Sequence, residues 1–504
     1  MVRHSTSASE LWSRLPWRKF KRDLFRLQMR IFKAVRNGEL VKARKLQKLI
    51  LKSRAAKLLA IRQITQLNKG KKTAGVDGIK SVDFLGRFQI LFLLNDIQKW
   101  EPGKLRRIPV PKKNGKIRIL SVPTIFDRIW QCLVKFALEP AYEATFSATS
   151  YGFRTGRSQH DAQKVIFQKL KGTTTKTNLK KRIIELDIKK CFDRISHESI
   201  MHELIAPVGM KTGIWRSLKA GVFPDFPEQG CPQGGVFSPL LANIALNGIE
   251  DIHNSVRYAD DMVIILKPND NEKEILNKIK EFLSARGMEI SEEKTKITPV
   301  TDGFTFLGWL FKVQKNGKFR CVPSAENYKE FSRKCKNVIN NSCMSLADKE
   351  KTLKPIVRGW RNYHRFCQMS GSRFSLWFLQ KRFHYTLKKT TLSRQEKVDV
   401  AKRTFPVVGY KENAFVNVKT TASPYDGDLT YWVGRNSKNY SGKTVELLKS
   451  QNNTCPICGG LLLHDEDVQL HHLDGNHDNW SYVNLSVMHR SCHQYIHMTQ
   501  KSTD

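Results

Sequence analysis

Apolar residues at Phe20, Leu24, Leu27 and Ile31 recur at three- and four-residue steps, and the same spacing returns at Leu46, Leu49, Ile50, Leu58 and Ile61. The period predicts amphipathic helices, with a break at Asn37-Gly38, a pair suited to a turn. Residues 1–72 therefore read as two helices. From 73 to 328 the pattern changes to short β-rich runs between helices: KIRILSV (Lys116–Val122), RIIELDI (Arg182–Ile188), SVRYADDMVIIL (Ser255–Leu266) and FTFLGWLF (Phe304–Phe311). Such alternation predicts an α+β unit with antiparallel strands and helices on one face. Helical spacing resumes over 329–404. Within 405–450, the stretch Ala422–Lys443 reads as a polar connector, and 451–504 forms a small separate unit. The chain is multidomain.

Charge changes the picture first. Of 504 residues, 87 are Lys or Arg and 46 are Asp or Glu, a formal net charge of +41. Residues 1–72 alone hold 21 Lys/Arg against Glu10, Asp23 and Glu39. A surplus of that size calls for a polyanion, and nucleic acid is the commonest one. No apolar run approaches the ~18 residues needed to span a bilayer, so no membrane is expected as partner. The Arg-rich, acid-poor start fits an organellar transit peptide, although the basic pattern continues through Lys72, past a usual presequence. Seven of the ten cysteines are scattered singly, as a reducing compartment tolerates. The other three crowd into the last fifty residues with seven of the fourteen histidines, which points to metal rather than crosslinks.

Candidate chemistry begins with Asp260 and Asp261, followed by the apolar run MVIIL. Two acids at the tip of a buried hairpin are costly unless a cation sits there. Asp187 ends the apolar run RIIELDI, and Phe192 follows five residues later. Carboxylates on neighbouring strand ends can hold two Mg²⁺ ions ~4 Å apart, the clamp used for nucleotidyl transfer.

With YADD at Tyr258–Asp261 and Asp187 followed by Phe192, the chain resembles the group II intron-encoded reverse transcriptases (maturases). Further segments agree in family order: AGVDG (Ala74–Gly78), IPVPKKNGKIRILSVPT (Ile108–Thr124), SYGFRTGRSQHDA (Ser150–Ala162), GCPQGGVFSPLLANIAL (Gly230–Leu246), GMEISEEKTKI (Gly287–Ile297) and FLGWLF. The resemblance implies a right-hand polymerase, with fingers and palm over 73–328 and a helical thumb, or X region, over 329–404. It implies Asp187, Asp260 and Asp261 as catalytic acids and Mg²⁺ ligands. It also implies Phe192 beneath the sugar, favouring dNTPs, with Lys116, Arg118, Gln233, Gly234 and Lys294 about the nucleotide. RNA-dependent RNA polymerases usually need Asp at the aromatic position and a GDD hairpin, and this chain has neither. In the thumb, LKPIVRGWRNYHRF carries Pro355, Gly359, Trp360, Asn362 and Tyr363 in the family pattern, the two aromatics also fitting a core role. Arg358, Arg361 and Arg365 lie at helical three- and four-residue spacings, a basic stripe suited to RNA phosphates.

Two metal sites are legible in the tail. Cys455 and Cys458 in CPICGG pair with His489 and Cys492 in HRSC as a Cys₃His structural zinc site. Interleaved with them are His471-His472, Asn484, His493 and His497. His493 and His497, four apart on a helix, share one face. His489 is also four from His493, and its spacing from Cys492 assigns it to zinc. This second set resembles the HNH nuclease ββα-metal motif, which implies His472 as general base and Asn484 as the residue positioning it. It implies His471, His493 and His497 as ligands of a divalent ion, Mg²⁺ by expectation.

Taken together, the expectation is an intron-encoded protein that binds its intron RNA and assists splicing. It would nick a DNA target with the 451–504 unit and copy RNA into DNA from the cut end with dNTPs, in retrohoming. Residues 405–450 fit a DNA-binding region by position. A splicing-only maturase with a vestigial nuclease is the alternative. The expected compartment is a bacterial cytoplasm and nucleoid, or an organellar matrix or stroma.

Overall fold

The computed structural model describes residues 7–95, 100–111, 115, 117–171, 179–223, 229–369, 374–440, 442–462, 468–476 and 479–500. Along the chain the strands are β1 (Leu105–Pro111), β2 (Ile117–Val122), β3 (Arg182–Leu186), β4 (Val222–Phe223), β5 (Ser255–Tyr258) and β6 (Asp261–Leu266). They continue with β7 (Lys296–Pro299), β8 (Phe304–Phe306), β9 (Trp309–Val313), β10 (Phe319–Pro323), β11 (Val468–His472) and β12 (Leu485–His489). Among the described residues no helix is long and apolar enough to cross a membrane.

The N-terminal region breaks as expected at Asn37-Gly38, where Gly38 takes φ +77°. It then breaks again where the sequence pattern ran on: Ser53 leaves helical backbone, and its side chain accepts from Ala56 N at 3.3 Å, capping a new helix. The expected two helices are thus Ala8–Ser13, Trp17–Arg36, Leu40–Lys52 and Arg54–Arg62. The last three pack on the helix Ile125–Glu143, whose Ile129, Leu133, Ala137 and Ala141 are fully buried. Pro140 lies inside that helix and cannot donate to the carbonyl of Phe136. Gln28 Nε2, from the neighbouring helix, donates to that carbonyl instead at 2.9 Å.

The central sheet has the order β5-β6-β3-β7, all antiparallel. Ile184, Leu186, Met262 and Ile264 face the helical core, and Ile183, Val256, Val263 and Ile265 face a second core with Phe304, Trp309 and Phe311. Both faces are therefore covered, which is why the strands read as continuous apolar runs. The expectation of helices on one face does not hold: the sheet β10-β9-β8 and the helix Gln159–Leu170 both pack on the other face. A third sheet, β2-β1-β4, departs from the all-antiparallel expectation: β4 adds to β1 in parallel through Leu105↔Val222 and Arg106↔Phe223.

Helices Ala325–Asn340, Leu346–Tyr363, Trp377–Lys388 and Arg394–Thr404 close around Phe331, Leu353, Val357, Trp360 and Phe383. Tyr363 stacks on Trp309 of β9 (centroids 4.5 Å, planes 3° apart), and Trp360 stacks on Phe331 at 4.5 Å. Both aromatics of the family pattern are packing residues.

The stretch Ala422–Lys443 is not a connector. It carries the helix Leu429–Asn439, with Trp432 and Tyr425 buried. Arg435 Nη2 reaches the fully buried Asp161 Oδ1 at 2.9 Å, and Val418 N donates to the same oxygen at 2.7 Å. A buried carboxylate needs such partners, so Asp161 draws this segment onto the helix Gln159–Leu170 and the body behind it. The last unit is β11, antiparallel to β12, then the helix Arg490–Gln500. Tyr495 of that helix and Trp17 flank the Arg62 guanidinium at 5.6 and 4.5 Å.

Candidate active site and metal-binding tail

Register alone brings the palm acids together. β3 pairs with β6 as Glu185↔Val263 and Leu186↔Met262, so the next step sets Asp187 opposite Asp261. On the other side Ser291 N donates to Asp187 O at 2.7 Å, which holds the strand end in place. Asp260 sits in the two-residue turn between Tyr258 and Asp261. Burial pushes the Asp261 carboxyl up to about 6, and the nearby Asp260 and Asp187 charges push the same way. Asp260 is raised too, first by burial and then by Asp187. Two acids that resist ionising, set beside the carboxylate of Asp187, are a donor set suited to divalent cations.

A buried network fixes the turn. Ala259 takes φ +59°, the left-handed region that a residue with a Cβ rarely adopts. Its carbonyl accepts from Arg257 Nη1 at 3.1 Å, which also donates to Asn243 Oδ1 at 3.0 Å. Asn243 Nδ2 in turn donates to Gly152 O at 2.8 Å, and Arg257 Nε meets Glu250 Oε1 at 2.5 Å. Arg257 is wholly buried. Gly152 lies against the turn so closely that a Cβ there would stand 2.3 Å from Ala259 N.

Around the acids, Lys294 Nζ pairs with Asp187 Oδ2 at 2.6 Å, and that hydrogen bond raises the lysine pKa. Exposed Arg118 on β2 donates through Nε to Gln233 Oε1 at 2.5 Å, and Gln233 Nε2 donates to Asp193 Oδ1 at 3.1 Å. Gly234, at φ +137°, lies where a Cβ would be 2.9 Å from Ser121 O, so its loop hugs the edge of β2. Phe192 is half-buried, and its carbonyl accepts from Cys231 N at 2.7 Å, tying the glycine loop to the short helix Cys191–Arg194 that follows β3. Lys116 lies outside the described residues.

The thumb arginines part company. Arg358 is exposed. Arg361 Nη1 donates to Pro406 O at 2.8 Å, and Arg365 Nη2 to Asn439 O at 2.7 Å. The helix ends at Tyr363, so Arg365 lies beyond it, and the expected three-residue helical stripe does not form.

In the tail, the ligand atoms of Cys455, Cys458, His489 and Cys492 all lie within 4.8 Å of one another. His489 Nε2 hydrogen-bonds Leu461 O at 2.9 Å, which turns Nδ1 toward Cys458 Sγ at 3.3 Å. A neutral ring nitrogen among three sulfurs fits a tetrahedral zinc. His471, His493 and His497 form a second group within the same 4.8 Å limit, with the Nε2 atoms of His493 and His497 3.2 Å apart. His472, next on β11 and so on the opposite face, is buried edge-on to Trp480 at 5.1 Å. Asn484 holds the segment just after it: Oδ1 accepts from Asp474 N, and Nδ2 donates to Asp474 Oδ1 and Asn479 O, each at 2.9 Å.

Comparison with known proteins gives three family matches. Residues 12–94 match the N-terminal domain of reverse transcriptase, 110–311 the reverse transcriptase (RNA-dependent DNA polymerase), and 328–405 the group II intron maturase-specific domain. Maturase-like protein 1 of Euglena gracilis is 39% identical over 369 residues, covering 72% of this chain and 80% of that protein. The chain belongs to the group II intron reverse transcriptase and maturase family. The group II intron-encoded protein LtrA of Lactococcus lactis is 28% identical over 333 residues, covering 50% of this chain and 54% of that one. Among solved structures, Candida albicans telomerase with a TWJ fragment of telomeric RNA aligns at TM-score 0.34 and 12% identity, covering 70% of this chain and 65% of that one.

For this family member, sequence reasoning singled out the three acids that the register brings together and missed what holds them. Arg257, Asn243, Glu250 and Gly152 belong to segments quoted for other reasons or not at all. One signal was available: SVRY puts a charge inside an otherwise buried strand, where it must be paired.

Proposed function

We propose that this maturase-family chain is an RNA-directed DNA polymerase whose catalytic acids are Asp187, Asp260 and Asp261. The observation that carries this reading is the β3–β6 register, which sets Asp187 against Asp261 while Asp260 occupies the turn beside them. Bound Mg²⁺ ions would supply Lewis-acid charge for nucleotidyl transfer. The residues of the chain then have separable tasks. Arg118, oriented by Gln233, faces the triphosphate, a role that the family resemblance also implies for Lys116, and Gly234 lets backbone approach. Lys294 balances Asp187. Phe192, pinned by the glycine loop, offers a flat surface beneath the sugar and excludes a 2′-hydroxyl.

The reading extends to both ends. Residues 1–72 and the thumb, 329–404, bind the intron RNA and assist splicing. Residues 405–450 contact target DNA. The 451–504 unit, folded on a structural zinc, nicks that DNA so that the new end primes cDNA synthesis. In the nick, His472 takes a proton from water, Asn484 holds the turn that follows His472, and His471, His493 and His497 hold a divalent ion. The ββα order and the two separate ligand groups support this assignment. Primer extension on an RNA template with dNTPs and Mg²⁺, beside nicking of a DNA duplex carrying the intron insertion site, tests the two activities separately.

A further inference from the structure

Within the thumb, helices Ala325–Asn340 and Trp377–Lys388 flank a groove of about 1000 Å³. One stripe of the second helix lines it: Phe378, Lys381, Arg382, Tyr385 and Lys389, at positions i, i+3, i+4, i+7 and i+11. The core-facing stripe of that helix is Leu379, Phe383 and Leu387, so Phe378 and Tyr385 lie off the packed face. Phe378 meets the exposed neighbouring Trp377 edge-on at 4.9 Å, and the Tyr385 ring lies 5.7 Å from Lys388 Nζ. Phe378 and Tyr385 are 73% and 52% exposed. Large aromatic rings set among cations on a solvent face are the composition of a base-stacking platform.

Charge points the same way. Lys336, from the first helix, and Lys349 add to the cations of the stripe, and none of the described residues lining the groove is acidic. Lys349 is only 7% exposed, and no acid pairs with it among the described residues. Its stem is covered while its ammonium opens on the basic groove without a counter-charge, a setting that favours an anion from outside. Arg382 Nε donates to Asn340 Oδ1 at 2.8 Å, which holds its guanidinium plane in place before anything binds. Ser342 and Thr386 also line the groove and offer neutral hydroxyls to a ribose 2′-OH.

We propose that this groove is a stacking site for an unpaired RNA segment, with bases on Phe378 and Tyr385 and phosphates on Lys349, Lys381 and Arg382. The proposal rests on the RNA-binding reading given above and places a contact in a part of the thumb that the arginines at 358, 361 and 365 do not reach. A duplex is the poorer fit, because its bases are already stacked on one another and only an unpaired base can lie on a side-chain ring.

The test uses the full chain and an unstructured oligouridylate carrying 5-iodouracil, with photocrosslinks mapped by peptide mass. Crosslinks at Phe378 or Tyr385 are expected, displaced by unlabelled oligouridylate and poorly by duplex RNA or oligodeoxythymidylate. Joint Phe378→Ala and Tyr385→Ala should weaken oligouridylate binding about tenfold or more. Phe378→Tyr with Tyr385→Phe keeps both rings and should bind like the parent, which separates stacking from misfolding. Primer extension from a supplied primer should be unchanged in both variants. Crosslinks confined to other segments, ring removal without effect, or equal displacement by duplex RNA or DNA would each overturn the proposal. Loss of primer extension in the alanine variant would too, by placing the groove in the polymerase path. Should the parent show groove crosslinks and no primer extension, the polymerase assignment fails and the groove stands.

Discussion

Gly152 and Ala259 meet backbone to backbone: a Cβ on the glycine would lie 2.3 Å from the alanine nitrogen and 2.9 Å from its Cβ. The Asp260-Asp261 pair depends on that contact, because Ala259 opens the turn that carries Asp260. Gly152→Ala must therefore push the hairpin or its own loop aside. We expect a stability loss of about 1–3 kcal/mol, typical of overpacking, and at least a tenfold drop in cDNA synthesis. Denaturant melts and primer extension check it. A variant as active and as stable as the parent would show that the turn does not need the close approach.

Asp261 gives a pH signature in the ion-free protein. Its folded-state pKa, about 6, lies above the ordinary 3.8, so between those values the native state holds more protons than the unfolded chain. Stability from this group is then present at low pH and is lost as pH rises from about 4 through about 6. Asp261 keeps solvent access, and screening makes the effect smaller than the shift alone implies. Asp261→Asn should melt above the parent in EDTA at pH 7–8 and equal it near pH 4. Mg²⁺ should raise the parent's melting temperature at pH 8 more than the variant's. Parallel melting curves across that range would refute the reading.

Phe192→Ala should open space beneath the sugar and raise rNTP incorporation relative to dNTP while extension continues. Competition assays with both nucleotide types on one RNA template measure it. An unchanged ratio in an active variant removes Phe192 from sugar selection.

The two ligand groups of the tail should separate by mutation. Cys455→Ser takes a thiolate from a closed site whose binding energy is largely folding energy, so zinc content and DNA nicking should fall together. His472→Ala should keep zinc, since its ring lies on the face of β11 away from the second histidine group. Its nicking rate should drop by ~10²–10⁴. Extension from a supplied primer should survive both changes. Zinc loss in His472→Ala, or parental nicking, contradicts the assignment.

What could be read from residues alone follows from how local each feature is. The strands RIIELDI and MVIIL announce themselves because both faces are buried. The Cys and His groups are legible because each pair is close in the chain: Cys455 and Cys458 in one turn, His489 and Cys492 across the junction of β12 and the last helix, and His493 and His497 on that helix. Ser53 escaped notice because a cap interrupts a helix without interrupting its apolar period. The Arg435–Asp161 pair escaped because its partners are separated by most of the chain. That pair is why Ala422–Lys443, polar in composition, is folded against the body. Arg361 and Arg365 had the right spacing for a stripe, but spacing says nothing about carbonyls at Pro406 and Asn439 waiting to receive them.

The central claim is that Asp187, Asp260 and Asp261 form one catalytic site for copying RNA into DNA. Its most direct test is single-turnover primer extension by the Asp260→Asn, Asp261→Asn double variant and the parent, on the same RNA template with dNTPs and Mg²⁺. Intron RNA binding is measured on the same two preparations. The account predicts no detectable extension by the variant and RNA affinity equal to the parent's, because the basic surfaces are untouched. Extension at the parental rate would contradict it.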